Sequence, residues 1–247
     1  MPALKKQTEC SASIGGLRNE LKKASDTAYA KVAARFFKTG KGEYGEGDIF
    51  IGVRVPAIRG IVKGFHSLSY NDTIELLASP VHEERMSGAM ILVHRYKGRK
   101  TTPEERTRIY DFYMTHAGYF NNWDLVDLTA PAISGDYLLD RDRKILREFA
   151  ASDNMWKRRI SIVTTHAFIK KGDCASTYEI AEMLLGDECD LIHKAVGWML
   201  REAGKIDMTA EETFLRKHLN DLPRTALRYA IEKFPETKRK KYLQGSV

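Results

Sequence analysis

The sequence predicts an all-α protein assembled from stacked helical repeats. Apolar residues recur at helical spacing in nearly every segment, and no stretch shows the apolar–polar alternation of a β-strand. Similar short sequences also recur at the starts of several predicted helices. The chain has 247 residues, of which 43% are hydrophobic and 30% charged, as is ordinary for a folded globular protein. No apolar run reaches the ~20 residues that span a bilayer, so we expect no membrane association.

The predicted helices follow one another with short connections. Apolar spacing between Leu17 and Phe37 predicts one or two N-terminal helices that end at Gly40. The glycine-rich stretch 39–52 predicts a loop, and Pro56 marks the first turn of the next helix. Further helices are predicted over residues 71–78, 83–96, 103–116, 123–139 with a break at Pro131, 143–151, 155–171, 176–185, 191–204, 210–219 and 223–234.

Repeated helix beginnings indicate a repeat architecture. Four segments open with a basic residue and continue with small and apolar residues: Arg85-Met-Ser-Gly-Ala-Met-Ile-Leu, Arg159-Ile-Ser-Ile-Val-Thr-Thr-His, Lys194-Ala-Val-Gly-Trp-Met-Leu-Arg and Arg224-Thr-Ala-Leu-Arg-Tyr-Ala-Ile. Their spacing matches stacked helix pairs of the HEAT or armadillo kind, with the helix at Trp123 filling the longest gap. We predict one domain over 1–247, a right-handed solenoid of HEAT-like repeats with a concave basic groove. Residues 1–16 are a candidate disordered tail.

The distribution of charge favours a polyanionic partner. The formal net charge is +7. Basic residues cluster at 95–100, 157–159 and 224–228, whereas acidic ones concentrate at 187–188 and 211–212. This segregation predicts one positive face, which suits the phosphates of a nucleic-acid duplex.

Cysteine and histidine usage predicts neither disulfides nor a metal. Cys10, Cys174 and Cys189 are odd in number and far apart, so we expect free thiols in a reducing compartment. His82-Glu83-Glu84 begins like His-Glu-x-x-His, but Met86 stands where the second histidine is needed. The N-terminus has no apolar stretch of the secretory kind. The expectation is therefore a cytoplasmic protein without metal or cofactor.

One segment in the middle of the chain places a carboxylate beside an indole. On a helix, Trp123 and Asp127 lie four residues apart on one face, with Asp124 next to them. A partly desolvated carboxylate stabilises a developing positive charge more strongly than one in water. The alternative is structural: Asn121 or Asn122 caps the helix, Asp124 complements its dipole and Trp123 belongs to the core.

A second candidate is a stripe of cationic and aromatic residues. Lys194, Trp198 and Arg201 follow i, i+4, i+7 spacing and share one helical face. This pattern is expected where an aromatic packs on sugar or base while its neighbours hold phosphates. Gly197 within the helix indicates close approach by another helix or a ligand. In the structural alternative, the cations are solvated and Trp198 fills the core.

A third candidate is Trp156 with the arginines that follow it. Trp156 and Arg159 share a face at i, i+3, with Arg158 beside them. The planar fork of arginine suits bidentate phosphate contact. The alternative is a charged helix start on a solvated surface.

Together these segments resemble the AlkD family of DNA alkylation repair glycosylases. The motifs occur in the family's order: Trp123-Asp-Leu-Val-Asp127, Asn154-Met-Trp-Lys-Arg-Arg159 and Lys194-Ala-Val-Gly-Trp198-Met-Leu-Arg-Glu202. The resemblance runs from about Phe50 to Phe234 and includes an end, from Leu222 to Arg228, that is similar to the family's last repeat. The sequence departs from the founding member at Asp190-Leu191, where that member has two aromatics, and in a longer loop over 39–52.

The resemblance implies a role for each matching residue. Asp127 matches the catalytic carboxylate, and Trp123 and Trp198 match the aromatic pair that flanks the lesion nucleotide. Arg159 matches an arginine that holds a backbone phosphate, and Arg201 matches an arginine of the groove. Gly52-Val-Arg-Val-Pro56 resembles a segment that touches DNA opposite the lesion. These matches are combined with the stripe that contains Lys194 and with Arg158, which lies beside Arg159. The predicted set of DNA-contact residues is then Arg54, Arg158, Arg159, Lys194 and Arg201.

The implied activity is excision of N3- or N7-alkylated purines from double-stranded DNA by a monomer that leaves the base stacked. Two other classes share some of these features. A non-catalytic HEAT-repeat module that binds DNA needs the same basic groove, and a protein-interaction scaffold needs only the repeats. Asp127 is the residue that discriminates the enzyme from both.

Overall fold

Every regular element in the computed structural model is a helix over residues 12–247, the range that the structure describes. The all-α prediction is thus confirmed there, and extended backbone pairs only at an isolated bridge between Ile49 and Val81. The chain divides into two compact units, Met1–Arg95 and Tyr96–Val247. Cys10 and most of the predicted tail lie outside the described residues, and the part of that tail within them is helical from Ile14.

The first unit follows the predicted helix order with shifts of a few residues at the ends. The N-terminal pattern produces two helices rather than one, because Asp26 caps a new helix with hydrogen bonds to the amides of Ala28 and Tyr29. The helices are α1 Ile14–Lys23, α2 Thr27–Phe36, α3 Val55–Val62, α4 Tyr70–Leu77 and α5 His82–Tyr96.

The predicted loop over 39–52 is confirmed, and the first turn of α5 holds its end in place. The buried carboxylate of Glu83 accepts hydrogen bonds from three consecutive amides, those of Ile51, Gly52 and Val53, at 2.7 to 3.2 Å. These amides have no sheet or helix partner, so the carboxylate satisfies donors that would otherwise be buried unpaired.

Gly52 is required where this loop meets α2. Its φ is +85°, and a Cβ there would lie 1.9 Å from the carbonyl oxygen of Asp26. Only glycine fits this backbone and this contact. Arg54 follows at the N-cap of α3, with its guanidinium 4.0 Å from the centre of the Tyr29 ring. The end of the loop therefore presents Arg54 from a fixed backbone.

The second unit contains the segments that carry the candidate site. Its helices are α6 Pro103–Thr115, α7 Trp123–Thr129, α8 Lys144–Ala150, α9 Met155–Thr164, α10 His166–Ile169, α11 Ala175–Met183, α12 Asp190–Gly204, α13 Met208–Lys217, α14 Arg224–Ala230 and α15 Glu236–Gln244. The predicted helix over 155–171 is divided into α9 and α10 at Thr165.

Pro131 ends α7 early. The predicted break is confirmed, and a π-helical turn, Ala130–Gly135, follows α7 directly. Proline has no amide hydrogen to donate to the preceding turn, so the helical register slips there. Asp127 consequently lies in the last turn of a short helix rather than in the middle of a long one.

The helices of the second unit form two rows of neighbours. One row is α7, α9, α12 and α14. The other is α8, α11 and α13, in which Tyr178 of α11 packs against Phe214 of α13. Helices α12 and α14 run parallel, since Thr225 donates to Asp190 at one end and Arg201 pairs with Glu232 at the other. Between these ends, a Cβ on Gly197 would lie 2.3 Å from the carbonyl oxygen of Ala226. The close approach predicted at Gly197 is therefore made by a helix.

Helix α15 is not among the helices predicted from the sequence. This helix buries only Tyr242 and is otherwise rich in lysine and arginine, so it has no apolar periodicity to detect. The positions that bound it were visible: Pro235 precedes its first turn, and Gly245 follows it with φ +70°.

A buried carboxyl group lies where α13 meets α12. Glu211 is 1% exposed and packs against the backbone of Gly204, where a Cβ would lie 1.6 Å from its Oε2. Burial raises the pKa of Glu211 to about 8, Glu212 adds to the rise, and Lys238 opposes it. The group is thus neutral in the folded protein at pH 7.

We predict that Glu211 makes the protein less stable as pH rises from about 4.5 to about 8. Over this range the unfolded chain releases the proton and the folded chain keeps it, at about 1.4 kcal/mol per pH unit. Glu211→Gln should remove this loss, so the variant should gain thermal stability over wild type at pH 8 and little at pH 5. Glu148→Gln, an exposed change, serves as the control. Identical pH profiles of Glu211→Gln and wild type would contradict the prediction.

Candidate functional site

An ion pair between α7 and α9 is the centre of the candidate site. Arg159 donates from Nε and Nη2 to both carboxylate oxygens of Asp127, at 2.9 to 3.1 Å. Its remaining nitrogen, Nη1, donates to the carbonyl oxygen of Leu191 at 2.6 Å. One guanidinium therefore joins three helices of the same row, α7, α9 and α12.

The two partners differ in exposure. The Arg159 side chain is 6% exposed, whereas that of Asp127 is 22% exposed and can meet a ligand. Burial raises the pKa of Asp127 above its ordinary value, Arg159 opposes the rise, and Asp124 adds to it. Arg159 thus favours the ionised carboxylate and fixes its orientation by the two-pronged contact.

Trp123 lies one turn before Asp127 on the same face of α7, as predicted, and is half-buried. The capping interpretation also holds in part, because the buried side chain of Asn122 accepts from the Trp123 amide at 2.8 Å. Structural capping and a partly accessible indole therefore occur together at this helix start.

The predicted stripe lies along α12. Leu191, Lys194 and Trp198 follow i, i+3, i+7 spacing, so Trp198 shares the face whose beginning is bonded to Arg159. Trp198 is half-buried, and the His166 ring packs against it with centroids 5.5 Å apart. Burial lowers the pKa of His166, with Lys170 adding to the effect, so the ring is neutral at pH 7.

The cations of the predicted contact set all have partners within the protein. Lys194 pairs with Asp190 at 2.7 Å, and Arg201 pairs with Glu232 and Glu202. These pairs are partly exposed, so water and a competing phosphate can reach them.

The other predicted arginines face different surroundings. Arg158 donates to Asp187 at 2.6 Å and to the carbonyl oxygens of Ser152 and Asp153, which fixes the chain around α9. Trp156 is 8% exposed and Arg159 5%, so neither belongs to a solvated helix start. Arg54 lies in the first unit, at the exposed N-cap of α3.

Two neighbours of the site were missed by the sequence analysis. Tyr113 of α6 is fully buried and close enough to Asp127 to feel its charge, although burial is the main reason that its pKa is raised. His166 packs on Trp198. Both come from helices that the sequence predicts, but neither stands in a motif with a chemical pattern of its own.

Cys174 and Cys189 are free thiols, as the sequence predicts. Within residues 12–247, no group of three or more histidine, cysteine, aspartate or glutamate side chains is arranged to hold a metal ion. The helices of that range also include none long and apolar enough to cross a membrane.

Comparison with known proteins agrees with this fold. The family model described as DNA alkylation repair enzyme matches residues 17–234. A solved structure described as a predicted DNA alkylation repair enzyme from Enterococcus faecalis has a TM-score of 0.66 and 16% sequence identity, over 86% of this chain and 97% of that chain. At this identity the likeness shows the fold alone. No curated protein matches the chain significantly.

The chain belongs to the DNA alkylation repair enzyme family, since the family model covers most of its length. Membership gives it a role in the repair of alkylated DNA and makes DNA its partner. The resemblance found in the sequence is thereby confirmed at the level of the family.

We predict that Arg159→Gln raises the pKa of Asp127 further, because the charge that opposes burial is removed. Stability should fall by up to about 3 kcal/mol, the low end of the range for breaking a buried pair, since Asp127 keeps some exposure. A carbon-13 NMR titration of the Asp127 carboxyl measures the first effect and chemical denaturation the second. Arg158→Gln is the neighbouring control and should leave the Asp127 titration in place. A carboxyl that titrates alike in Arg159→Gln and wild type would contradict the assigned role of Arg159.

Proposed function

We propose that the protein is a DNA glycosylase that hydrolyses the N-glycosidic bond of N3- or N7-alkylated purines in duplex DNA, in base excision repair. The observation that carries the proposal is Asp127, a partly accessible carboxylate held in one orientation by the buried Arg159. Family membership in DNA alkylation repair supports it. No cofactor is needed for the chemistry below.

The proposed reaction starts from a base that is already a good leaving group. Alkylation at N3 or N7 gives the purine a positive charge, so departure of the base needs no proton donor. Bond cleavage leaves an oxocarbenium-like deoxyribose, the kind of cation that carboxylates stabilise in glycosidases. Asp127 would stabilise this cation and orient the water that adds to the sugar.

The two half-buried indoles would complete the site. Trp123 precedes Asp127 by one turn on α7, and Trp198 extends the face of α12 that begins at Leu191. An indole face stabilises a nearby cation, by about 0.5 to 2 kcal/mol according to its desolvation. We propose that Trp123 and Trp198 pack on the lesion nucleotide's deoxyribose while the base remains stacked.

The DNA path is also part of the proposal. The two rows of helices would be repeats of a right-handed HEAT-like solenoid, with α7, α9, α12 and α14 lining a concave basic groove. Lys194 and Arg201 would contact phosphates there, and the monomer would act in the cytoplasm. Arg54, in the first unit, is proposed as a DNA contact of its own. Arg158 and Arg159 remain predicted DNA-contact residues, although their nitrogens donate within the protein.

A second candidate is a non-catalytic DNA-binding module. The observation in its favour is that the Asp127–Arg159 pair also joins α7, α9 and α12, which is a structural role. A module of this kind would bind duplex DNA through the same cations and would release no base.

We predict that wild-type protein releases free base from duplex DNA carrying one N7-methylguanine, faster than the spontaneous rate. Asp127→Asn should reduce single-turnover release by about a hundredfold, because an amide cannot stabilise the sugar cation. Its DNA affinity should hold or increase, since a negative charge leaves a surface that faces phosphates.

Asp140→Asn, an exposed change outside the site, is the matched control for this experiment. Excision of neither N7-methylguanine nor N3-methyladenine by wild type would contradict the enzymatic proposal and favour the DNA-binding module. An unchanged rate in Asp127→Asn would remove that residue from the mechanism.

A further inference from the structure

The positive charge of this protein is concentrated at one end of the chain. Residues 213–247 hold nine lysines and arginines against three acidic residues, so this stretch carries a net +6 of the chain's +7. The preceding residues are nearly neutral in sum. The last helices therefore supply most of the chain's net positive charge, and they lie beyond the motifs that define the candidate site.

Part of this charge surrounds a surface cavity between α13 and α15. The cavity has a volume of about 440 Å³ and is lined by Arg216, Thr237, Lys238, Lys241, Ser246 and Val247. We name Arg216, Lys238 and Lys241 together the terminal basic surface.

One carboxylate is shared by two of these three cations. Glu212 forms an ion pair with Lys238 and lies 3.8 Å from Arg216. Lys241 is exposed and has no ion pair within residues 12–247. The terminal basic surface thus keeps an excess of positive charge after its internal pairs are formed.

The helix α15, which carries Lys238 and Lys241, is attached to its neighbours by specific contacts. Tyr242 is 1% exposed and packs edge-on against Phe234, with ring centroids 5.5 Å apart. The Lys238–Glu212 pair joins α15 to α13. A helix that buries one residue gains little from apolar packing, and its exposed lysines are accessible to a ligand.

The position of α15 relates it to the proposed DNA path. Arg201, at the end of the α12 stripe, pairs with Glu232, and Lys233 pairs with the same carboxylate just before α15 begins. From Lys194 to Arg201 the stripe covers about 10 Å along the helix. Glu232 thus connects the end of the α12 stripe to the start of α15, while Arg216 lies on α13, in the other row of helices.

We propose that the terminal basic surface binds a phosphodiester of the DNA backbone several base pairs from the lesion. Phosphate oxygens accept from the guanidinium of Arg216, from the ammonium of Lys241 and from the nearby Thr237 hydroxyl. This contact extends the footprint of the proposed glycosylase, and to that extent it rests on the proposed function. It strengthens binding to any sequence and takes no part in bond cleavage.

The test compares salt dependence of binding in two double variants. Arg216→Gln with Lys241→Gln removes two phosphate contacts and leaves the Lys238–Glu212 pair. Lys22→Gln with Lys23→Gln removes the same charge from exposed positions on α1. Binding of unmodified duplexes of about 10 and about 25 base pairs is measured by fluorescence anisotropy between 50 and 200 mM salt. The quantity compared is the slope of log affinity against log salt concentration, to which each phosphate contact adds roughly 0.9 in magnitude.

The proposal expects the Arg216/Lys241 variant to lose about 1.8 units of slope on the longer duplex. The shorter duplex and the Lys22/Lys23 variant should show little change. Single-turnover excision at saturating lesion duplex should equal that of wild type. Equal slopes in the two double variants, or an equal loss on both duplex lengths, would overturn the proposal.

Two further outcomes distinguish the terminal DNA contact from the proposed glycosylase activity and from a site for a free anion. A wild type that shows the expected slopes but releases no base contradicts the proposed function and supports the terminal contact. Inorganic phosphate is titrated at constant ionic strength as a second probe. The double variant Arg216→Gln with Lys241→Gln could lose saturable phosphate binding while its duplex slopes stay unchanged. That result would identify a free-anion site and overturn the DNA assignment.

Discussion

The pairing of Asp127 with Arg159 is the constraint on which the rest of the site depends. A carboxylate that stabilises a cation must be ionised, fixed in orientation and partly shielded from water. Burial alone works against ionisation, because it raises the pKa of Asp127. A buried arginine resolves the conflict because its fork holds both oxygens while one side of the carboxylate remains exposed. The same guanidinium reaches the backbone of Leu191, so the orientation of Asp127 is tied to the packing of α7, α9 and α12.

That packing depends on close helix contacts at a few small residues. Gly197 lets α14 approach α12, and Gly135, in the π-helical turn after α7, lies where a Cβ would be 2.5 Å from that of Ala167. Pro131 ends α7 just after Asp127 and so places the carboxylate at a helix end. Backbone features that contain no reactive group thus determine where the reactive groups stand.

The helical class and most helix positions could be predicted from the sequence, because apolar residues recur at helical spacing in those helices. Helix α15 could not be predicted, because it buries a single tyrosine and has no apolar periodicity. The sequence analysis selected Asp127, Trp123 and Trp198 because their motifs are local in the chain. It did not pair Asp127 with Arg159, since an ion pair across 32 residues follows from helix stacking rather than from spacing. The neutral His166 beside Trp198 was missed for the same reason.

The central claim, that Asp127 recognises positive charge on the sugar, is tested most directly by binding rather than by turnover. Two duplexes are compared, one with a cationic pyrrolidine in place of the deoxyribose and one with an uncharged tetrahydrofuran at the same position. Wild type should prefer the cationic duplex by about a hundredfold, or ~3 kcal/mol, and Asp127→Asn should lose the preference. Equal affinity of wild type for the two duplexes would contradict the claim.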